Sequence, residues 1–223
     1  MDETVWHLIR NERLSLAQML ERAPGADWTT PSLCAEWSVH HVLAHLVMTP
    51  AGEPHVWDMT KALVRARGHL WDAGRDVAIA YARRNPQELV ASLRQAADAR
   101  TKPVFVANDN ILLDLVVHGQ DIAVPLGLRR PVPAEAAVLA LRRIWAMGWP
   151  FYARRRLAGV QVQCSGDAET DVVWEVGSGP LIHGTAGDLA LLMTGRTRAA
   201  LPRLAGPGVE VVADRLHGAG APR

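Results

Sequence analysis

The feature that most constrains the fold is the segment 111–123, ILLDLVVHGQDIA, which is apolar except at a few positions. Asp114, His118 and Asp121 interrupt it at spacings of four and three, so on an α-helix they lie within about 60° of one another. Aliphatic residues surround this polar stripe, which predicts a helix buried on most sides. An unpartnered charge in that setting costs several kcal/mol, so we expect each polar group to have a partner or a metal.

The rest of the N-terminal region also has helical periodicity. Apolar spacings of three and four predict helices over residues 3–22, 38–48, 55–84 and 86–99, ahead of the buried segment. Ser38 is placed to cap the second of these helices, and Pro86 suits the first turn of the fourth. A further helix is predicted over 134–156, with an interruption near 148–150.

The pattern changes after residue 159. The segments GVQVQC, DVVWEV and GVEVVAD each predict a strand. Between the second and third, Thr185 and Asp188 have the spacing of a capping box, which predicts a short helix ending at Gly195. We therefore expect a mainly α protein, with a helical bundle over residues 1–157 and a small α+β domain over 158–223.

Composition excludes several functional classes. The formal net charge of the 223 residues is +1, which gives no general field for nucleic acid or an anionic membrane. The N-terminus has no signal-peptide core, and no stretch approaches the roughly 18 apolar residues of a membrane span, so we expect a cytoplasmic protein. Cys34 and Cys164 are far apart, which argues against a disulfide framework. Scarce lysine and abundant arginine favour a high-GC bacterial source.

The polar stripe contains the spacing of a metal-binding pair. Asp114 and His118 lie one helical turn apart, so their carboxylate and imidazole can hold one divalent ion. The third ligand must come from another helix, and we favour His45 over His41, one turn earlier. This set suits Zn²⁺, although Ni²⁺ or Fe²⁺ also fits. Alternatively, Asp114 and His118 bond to each other without metal, and Asp121 either orients an imidazole or pairs with an arginine.

Three segments resemble one known family over nearly the whole chain. In chain order they are WTTPSLCAEWSVHHVLAHLV, LLDLVVHGQDIAVPLG and VVWEVGSGPLIHGTAGDLALLMTGR. Their content and order are similar to those of the mycothiol-dependent maleylpyruvate isomerases of the DinB-like superfamily. The resemblance implies a DinB-like four-helix bundle with a divalent metal on His45, Asp114 and His118. The family pattern has the longer glutamate where this chain has Asp114, so the metal would lie closer to this helix or be shifted.

The resemblance also implies an activity. In such isomerases mycothiol adds to the double bond of maleylpyruvate, the new single bond rotates, and elimination gives fumarylpyruvate. For this chain it implies a metal- and thiol-dependent isomerase or a thiol transferase, acting on a small acidic or electrophilic substrate. Arg196 is the candidate cation for the substrate's enolate, or else a helix C-terminal arginine. The contrasting hypotheses are a non-catalytic ligand-binding protein and a metal-free structural bundle.

Two other features have ordinary packing interpretations. Cys34 lies between Trp28 and Trp37, which favours a loop packed onto the bundle over a reactive thiol. Trp145 and Trp149 have helical spacing, which favours core packing or a domain contact. We expect a monomer or a homodimer.

Overall fold

A computed structural model describes residues 2–50, 77–102, 106–166 and 172–219 of the chain. The chain forms two compact units, Met1–Arg130 and Pro131–Arg223. The helix that begins at Ala134 therefore belongs to the second unit. The domain boundary at 157 stays a prediction. No helix within the described ranges is both long and apolar enough to cross a membrane.

The described residues of the first unit contain four long helices. They are α1 (Asp2–Glu21), α2 (Val39–Met48), α3 (Pro86–Gln95) and α4 (Asn108–Ala123). Both α1 and α2 contact α3 and α4, which closes a four-helix arrangement. Residues 77–81 are also helical, whereas most of the helix expected over 55–84 lies outside the described residues. The helical bundle predicted from the periodicity is confirmed.

Local sequence signals determine where two of these helices begin. The Ser38 hydroxyl accepts a hydrogen bond from the backbone of His41, and the His41 ring accepts one from the backbone of Ser38, so the two form a capping box. The Asn85 side chain caps α3, with Pro86 in the first turn. Both starts agree with the sequence prediction.

The α4 helix is enclosed by the rest of the bundle. Leu112, Val116 and Ile122 are fully buried, and the helix contacts both α1 and α2. Burial on several sides is what its near-continuous apolar sequence predicts. The polar stripe is therefore held inside the bundle rather than at its surface.

The second unit is a small sheet with helices against it. Its elements are α5 (Ala134–Ala146), α6 (Ala153–Arg156), β1 (Gln161–Ser165), β2 (Val172–Gly177), β3 (Leu181–Gly184), α7 (Ala186–Met193), α8 (Thr197–Ala200) and α9 (Gly208–Ala219), with a 3₁₀ turn at Leu201–Arg203. The strand order is β2-β1-β3, antiparallel for β1–β2 and parallel for β1–β3. Thr185 caps α7 as expected. This unit confirms the predicted α+β character.

The prediction of a strand at GVEVVAD is wrong. These residues form the first half of α9, and the third strand is Leu181–Gly184. Val209 and Val211 alternate as in a strand, whereas Val209 and Val212 have helical spacing, so periodicity alone does not decide between the two. Gly206 turns the chain with φ +102°, a backbone conformation that favours glycine. A Cβ on Gly208 would lie 2.6 Å from the Pro180 carbonyl oxygen, so glycine allows the start of α9 to come this close to it.

Candidate metal centre

The C-terminal half of the polar stripe is a closed hydrogen-bonded pair. His118 Nδ1 lies 2.8 Å from Asp121 Oδ2, one turn along α4. The Asp121 side chain is fully buried, and that of His118 is 16% exposed. With Nδ1 held by the carboxylate, the remaining ring nitrogen of His118 is the one left to bind another group.

The loop between α1 and α2 is fastened beside this pair. The Leu33 N–H donates to the Asp121 carbonyl at 3.4 Å, and the Ser32 hydroxyl donates to the Trp37 carbonyl at 2.9 Å. The Trp37 ring lies 5.4 Å from the His45 ring and 6.5 Å from the His118 ring, between centroids. The loop therefore covers the histidines with an aromatic side chain.

In this position of the loop, Cys34 lies against the polar stripe of α4. The Cys34 thiol donates to Asp121 Oδ2 at 3.1 Å, and its sulfur lies 3.6 Å from His118 Nδ1. Potential ligand atoms of Cys34, His118 and Asp121 all lie within 4.8 Å of one another. Across the described ranges, this is the one group of three or more such side chains close enough to share an ion.

The second predicted histidine lies next to this group. His45 is on α2, one turn after His41, and its ring is 5.1 Å from the His118 ring in an edge-to-face arrangement. His45 Nδ1 is buried and has no hydrogen-bond partner among the described residues. His41, the alternative candidate, already uses its Nδ1 in the cap with Ser38.

The electrostatics of the two imidazoles differ. Burial lowers the pKa of His45 to about 3, helped by the charge of His118, so His45 is neutral at pH 7. Burial also opposes protonation of His118, but the hydrogen bonds with Asp121 and Cys34 outweigh it and raise the pKa of His118 to about 10. A neutral imidazole is the metal-binding form, so an ion at His118 would have to displace a proton.

A cavity of about 200 Å³ lies beside His45 in the first unit. Its polar lining includes Arg13, His45 and Asp114, and its apolar lining includes Leu46, Ile111 and Leu115. Asp114 is half-buried, so the N-terminal end of the polar stripe is next to open space while the C-terminal end is closed. A small ligand has room here, and the closed pair does not block it.

The structure thus arranges the predicted site residues in two linked groups. His118 and Asp121 are bonded to each other, His45 and Asp114 share the cavity, and the two histidine rings are adjacent. Arg196 lies in the second unit, where its Nη1 donates to the Thr194 carbonyl at 3.1 Å. That bond fits an arginine at the end of α7, so its catalytic role stays a prediction.

Sequence reasoning missed two residues at this site. Cys34 was expected only to pack, yet it contacts both His118 and Asp121. Arg13 had no predicted role, although it lines the cavity. A charged residue on the apolar face of α1, between the apolar positions Ile9 and Leu16, is the signal that would have found Arg13.

Comparisons with known proteins identify the family and the fold. The chain matches the family model of the mycothiol maleylpyruvate isomerase N-terminal domain over residues 9–123, just over half its length. Two solved structures, each similar over 93% of both chains, are a mycothiol-dependent maleylpyruvate isomerase (15% identity, TM-score 0.50) and a histidine-to-alanine mutant of such an isomerase (14% identity, TM-score 0.50). At these identities they show a shared fold. Comparison with curated protein sequences gives no match. The chain belongs to the mycothiol maleylpyruvate isomerase family.

Proposed function

We propose that the first unit binds a divalent metal, probed first as Zn²⁺, through His45, Asp114 and His118. The observation that carries the proposal is the buried, unpartnered Nδ1 of the neutral His45 beside the ring of His118. A buried polar atom with no partner is costly, and a metal is a partner that a neutral imidazole accepts. Asp114 lines the same cavity and supplies the carboxylate.

Asp121 supports this site without binding the ion. Its carboxylate bonds to His118 Nδ1, which fixes the ring and leaves the other nitrogen for the metal. Cys34 donates to the same carboxylate oxygen. The competing arrangement places the ion on Cys34, His118 and Asp121, and it would require Asp121 to give up its bond to the imidazole.

The proposed activity is a thiol-dependent reaction of a small unsaturated acid, with mycothiol as the thiol. When bound, a divalent metal lowers the pKa of a coordinated thiol and presents a thiolate at neutral pH. The chain itself contributes a cavity lined in part by apolar side chains and, next to it, the His118 imidazole that Asp121 orients. We infer isomerisation of an unsaturated keto acid or transfer of the thiol to an electrophile, in a cytoplasmic protein.

Metal content tests the ligand assignment. We expect the purified protein to contain close to one equivalent of divalent metal, and His45→Ala or Asp114→Ala to lose most of it. His7→Ala, an exposed histidine of α1, is the matched control and should keep the metal. Cys34→Ser separates the two arrangements. Retention of metal by Cys34→Ser supports the proposed set, and loss of metal there with retention in His45→Ala overturns it.

Turnover tests the reaction. The metal-loaded protein is incubated with mycothiol and maleylpyruvate, and product is followed by chromatography, with thiol-free and metal-free samples as controls. Formation of fumarylpyruvate or of a thiol adduct only when both are present supports the proposal. Binding of both compounds with no product would instead support a non-catalytic ligand-binding protein. The same assay tests the predicted role of Arg196. If Arg196 stabilises the enolate, Arg196→Met will have a lower kcat than the parent.

A further inference from the structure

Arg13 has an unusual position for a charged side chain. It lies on α1 with only 1% of its surface exposed. Its Nη1 donates to the carbonyl oxygens of Ala96, Ala97 and Ala99, at 3.3, 3.1 and 2.7 Å, where α3 ends. Carbonyls at a helix end lack the N–H groups of a following turn, and here the Ala96 carbonyl also accepts from the Ala99 N–H at 3.0 Å. By binding these carbonyls, this part of Arg13 has a structural role.

The rest of the guanidinium has no such role. Nε and Nη2 are buried, and within the part of the chain that the structure describes they have no hydrogen-bond partner. Together they form one edge of the planar group, with two parallel N–H bonds that match the two oxygens of a carboxylate. The chain shows this pairing elsewhere, because Arg94 Nε and Nη2 bind Glu21 Oε1 and Oε2 at 2.6 and 2.7 Å.

The surroundings supply a place for such a carboxylate. Arg13 lines the same cavity as His45 and Asp114, and the cavity volume of about 200 Å³ is enough for a small organic acid. Burial lowers the pKa of Arg13 to about 10, so it stays charged at pH 7. The nearby Asp98 is already paired with Arg10 at 2.7 Å.

We propose that the Nε–Nη2 edge of Arg13 binds a carboxylate of the substrate, which holds a small mono- or dicarboxylic acid in the cavity beside His45 and Asp114. The inference rests on the proposed function, which it deepens by assigning the group that selects acidic substrates. The Asp114 carboxylate repels an anion in the same cavity, and a divalent cation at the proposed ligands offsets that charge. Carboxylate binding is therefore expected to be stronger in the metal-loaded protein.

The experiment measures binding of maleate to the metal-loaded protein by titration calorimetry, with no thiol present. Arg13→Lys keeps the charge but loses the planar fork, and we expect maleate to bind about tenfold more weakly or worse. Arg22→Met removes an exposed charge just beyond α1 and should bind maleate like the parent. Metal content and the thermal midpoint of each variant are measured alongside.

A second variant leaves Arg13 in place, in case its replacement prevents folding. Thr49→Glu adds a carboxylate to the cavity lining, where it competes with maleate, whereas Thr49→Gln adds similar volume without charge. We expect Thr49→Glu to weaken maleate binding about tenfold and Thr49→Gln to change it about threefold or less. Equal affinities for this pair, or a parent protein that does not bind maleate, overturn the proposal.

The turnover assay separates this inference from the proposed function. Suppose that the parent turns over maleylpyruvate with mycothiol, and that Arg13→Lys binds maleate as tightly as the parent. This result would reject the role of Arg13 and keep the proposed function. Maleate binding that depends on Arg13 with no turnover in the parent would keep the carboxylate site and reject the isomerase.

Discussion

Glu12 and Arg13 are adjacent charged residues on α1, both almost completely buried, and their surroundings are opposite. Glu12 Oε2 accepts a hydrogen bond from Arg130 Nη2 at 2.7 Å, and each of these side chains is only 1% exposed. Among the described residues, Arg13 bonds to backbone carbonyls alone, one edge of its guanidinium has no partner, and the side chain lines a cavity. Burial is common to both, so what separates a structural charge from a ligand-binding one is whether the protein supplies the counter-charge.

The Glu12–Arg130 pair gives the largest expected effect on stability. Glu12→Ala leaves the Arg130 guanidinium buried without its carboxylate, and we expect a loss of about 3–5 kcal/mol in the free energy of unfolding, measured by urea denaturation. Metal content and maleate affinity should stay as in the parent wherever the protein is folded. A loss below about 1 kcal/mol would mean that the pair is not structural.

A second prediction tests how tightly Arg130 is held. A Cβ on Gly119 would collide with Arg130 Nε and lie 2.9 Å from its Cζ, so Gly119→Ala must displace the guanidinium from Glu12. We expect a destabilisation of about 1–3 kcal/mol, from denaturant midpoints. Gly25→Ala is the matched control because a Cβ there meets nothing within 4 Å. Similar midpoints for the two variants would contradict the close packing of Arg130 on α4.

A third prediction concerns Asp121, a buried carboxylate whose partner belongs to the proposed metal site. Asp121→Asn removes the charge that orients His118, and we expect metal affinity to fall about 10- to 100-fold, measured by competition with a chelating dye. Asp109→Asn, in the first turn of the same helix, should leave the affinity unchanged. If the two variants bind metal equally well, Asp121 does not support the site.

The helices were predictable because their signals are local. The burial of α4 follows from its own apolar run, and the start of α2 follows from Ser38. The same locality explains the mistake at GVEVVAD, where a few valines satisfy two periods and contact with β3 decides between them.

The site was predictable only in part, because its contacts cross long stretches of chain. The spacing of Asp114 and His118 within one helix is visible in the sequence. The approach of Cys34 to Asp121 spans 87 residues, and that of Arg13 to Ala99 spans 86. Hydrogen bonds between the loop and α4 create the first contact, and packing of α1 on α3 creates the second. No pattern of neighbouring residues encodes either one.

The smallest expected effect is at the exposed ion pair between Arg94 and Glu21, where the guanidinium binds both carboxylate oxygens. The hydrogen bond from Arg94 lowers the pKa of Glu21, so the stabilisation is complete above the ordinary glutamate pKa of about 4.3 and is lost as the pH falls through the lower, folded-state value. Since both side chains are 42% exposed, Glu21→Gln should cost at most about 1 kcal/mol at pH 7.

Thermal midpoints of parent and Glu21→Gln should therefore differ slightly at pH 7 and converge as the pH falls below the folded-state pKa of Glu21. A difference that stays constant down to the lowest pH at which both proteins fold would show that the variant acts through something other than the carboxylate charge. The fork at Arg94 has the geometry that we propose for Arg13 with a ligand, but it is surrounded by water. Suppose that Glu21→Gln changes the thermal midpoint only slightly while Arg13 binds maleate tightly. The difference between the two sites would then be assigned to burial, because the proposed hydrogen-bond geometry is the same in both.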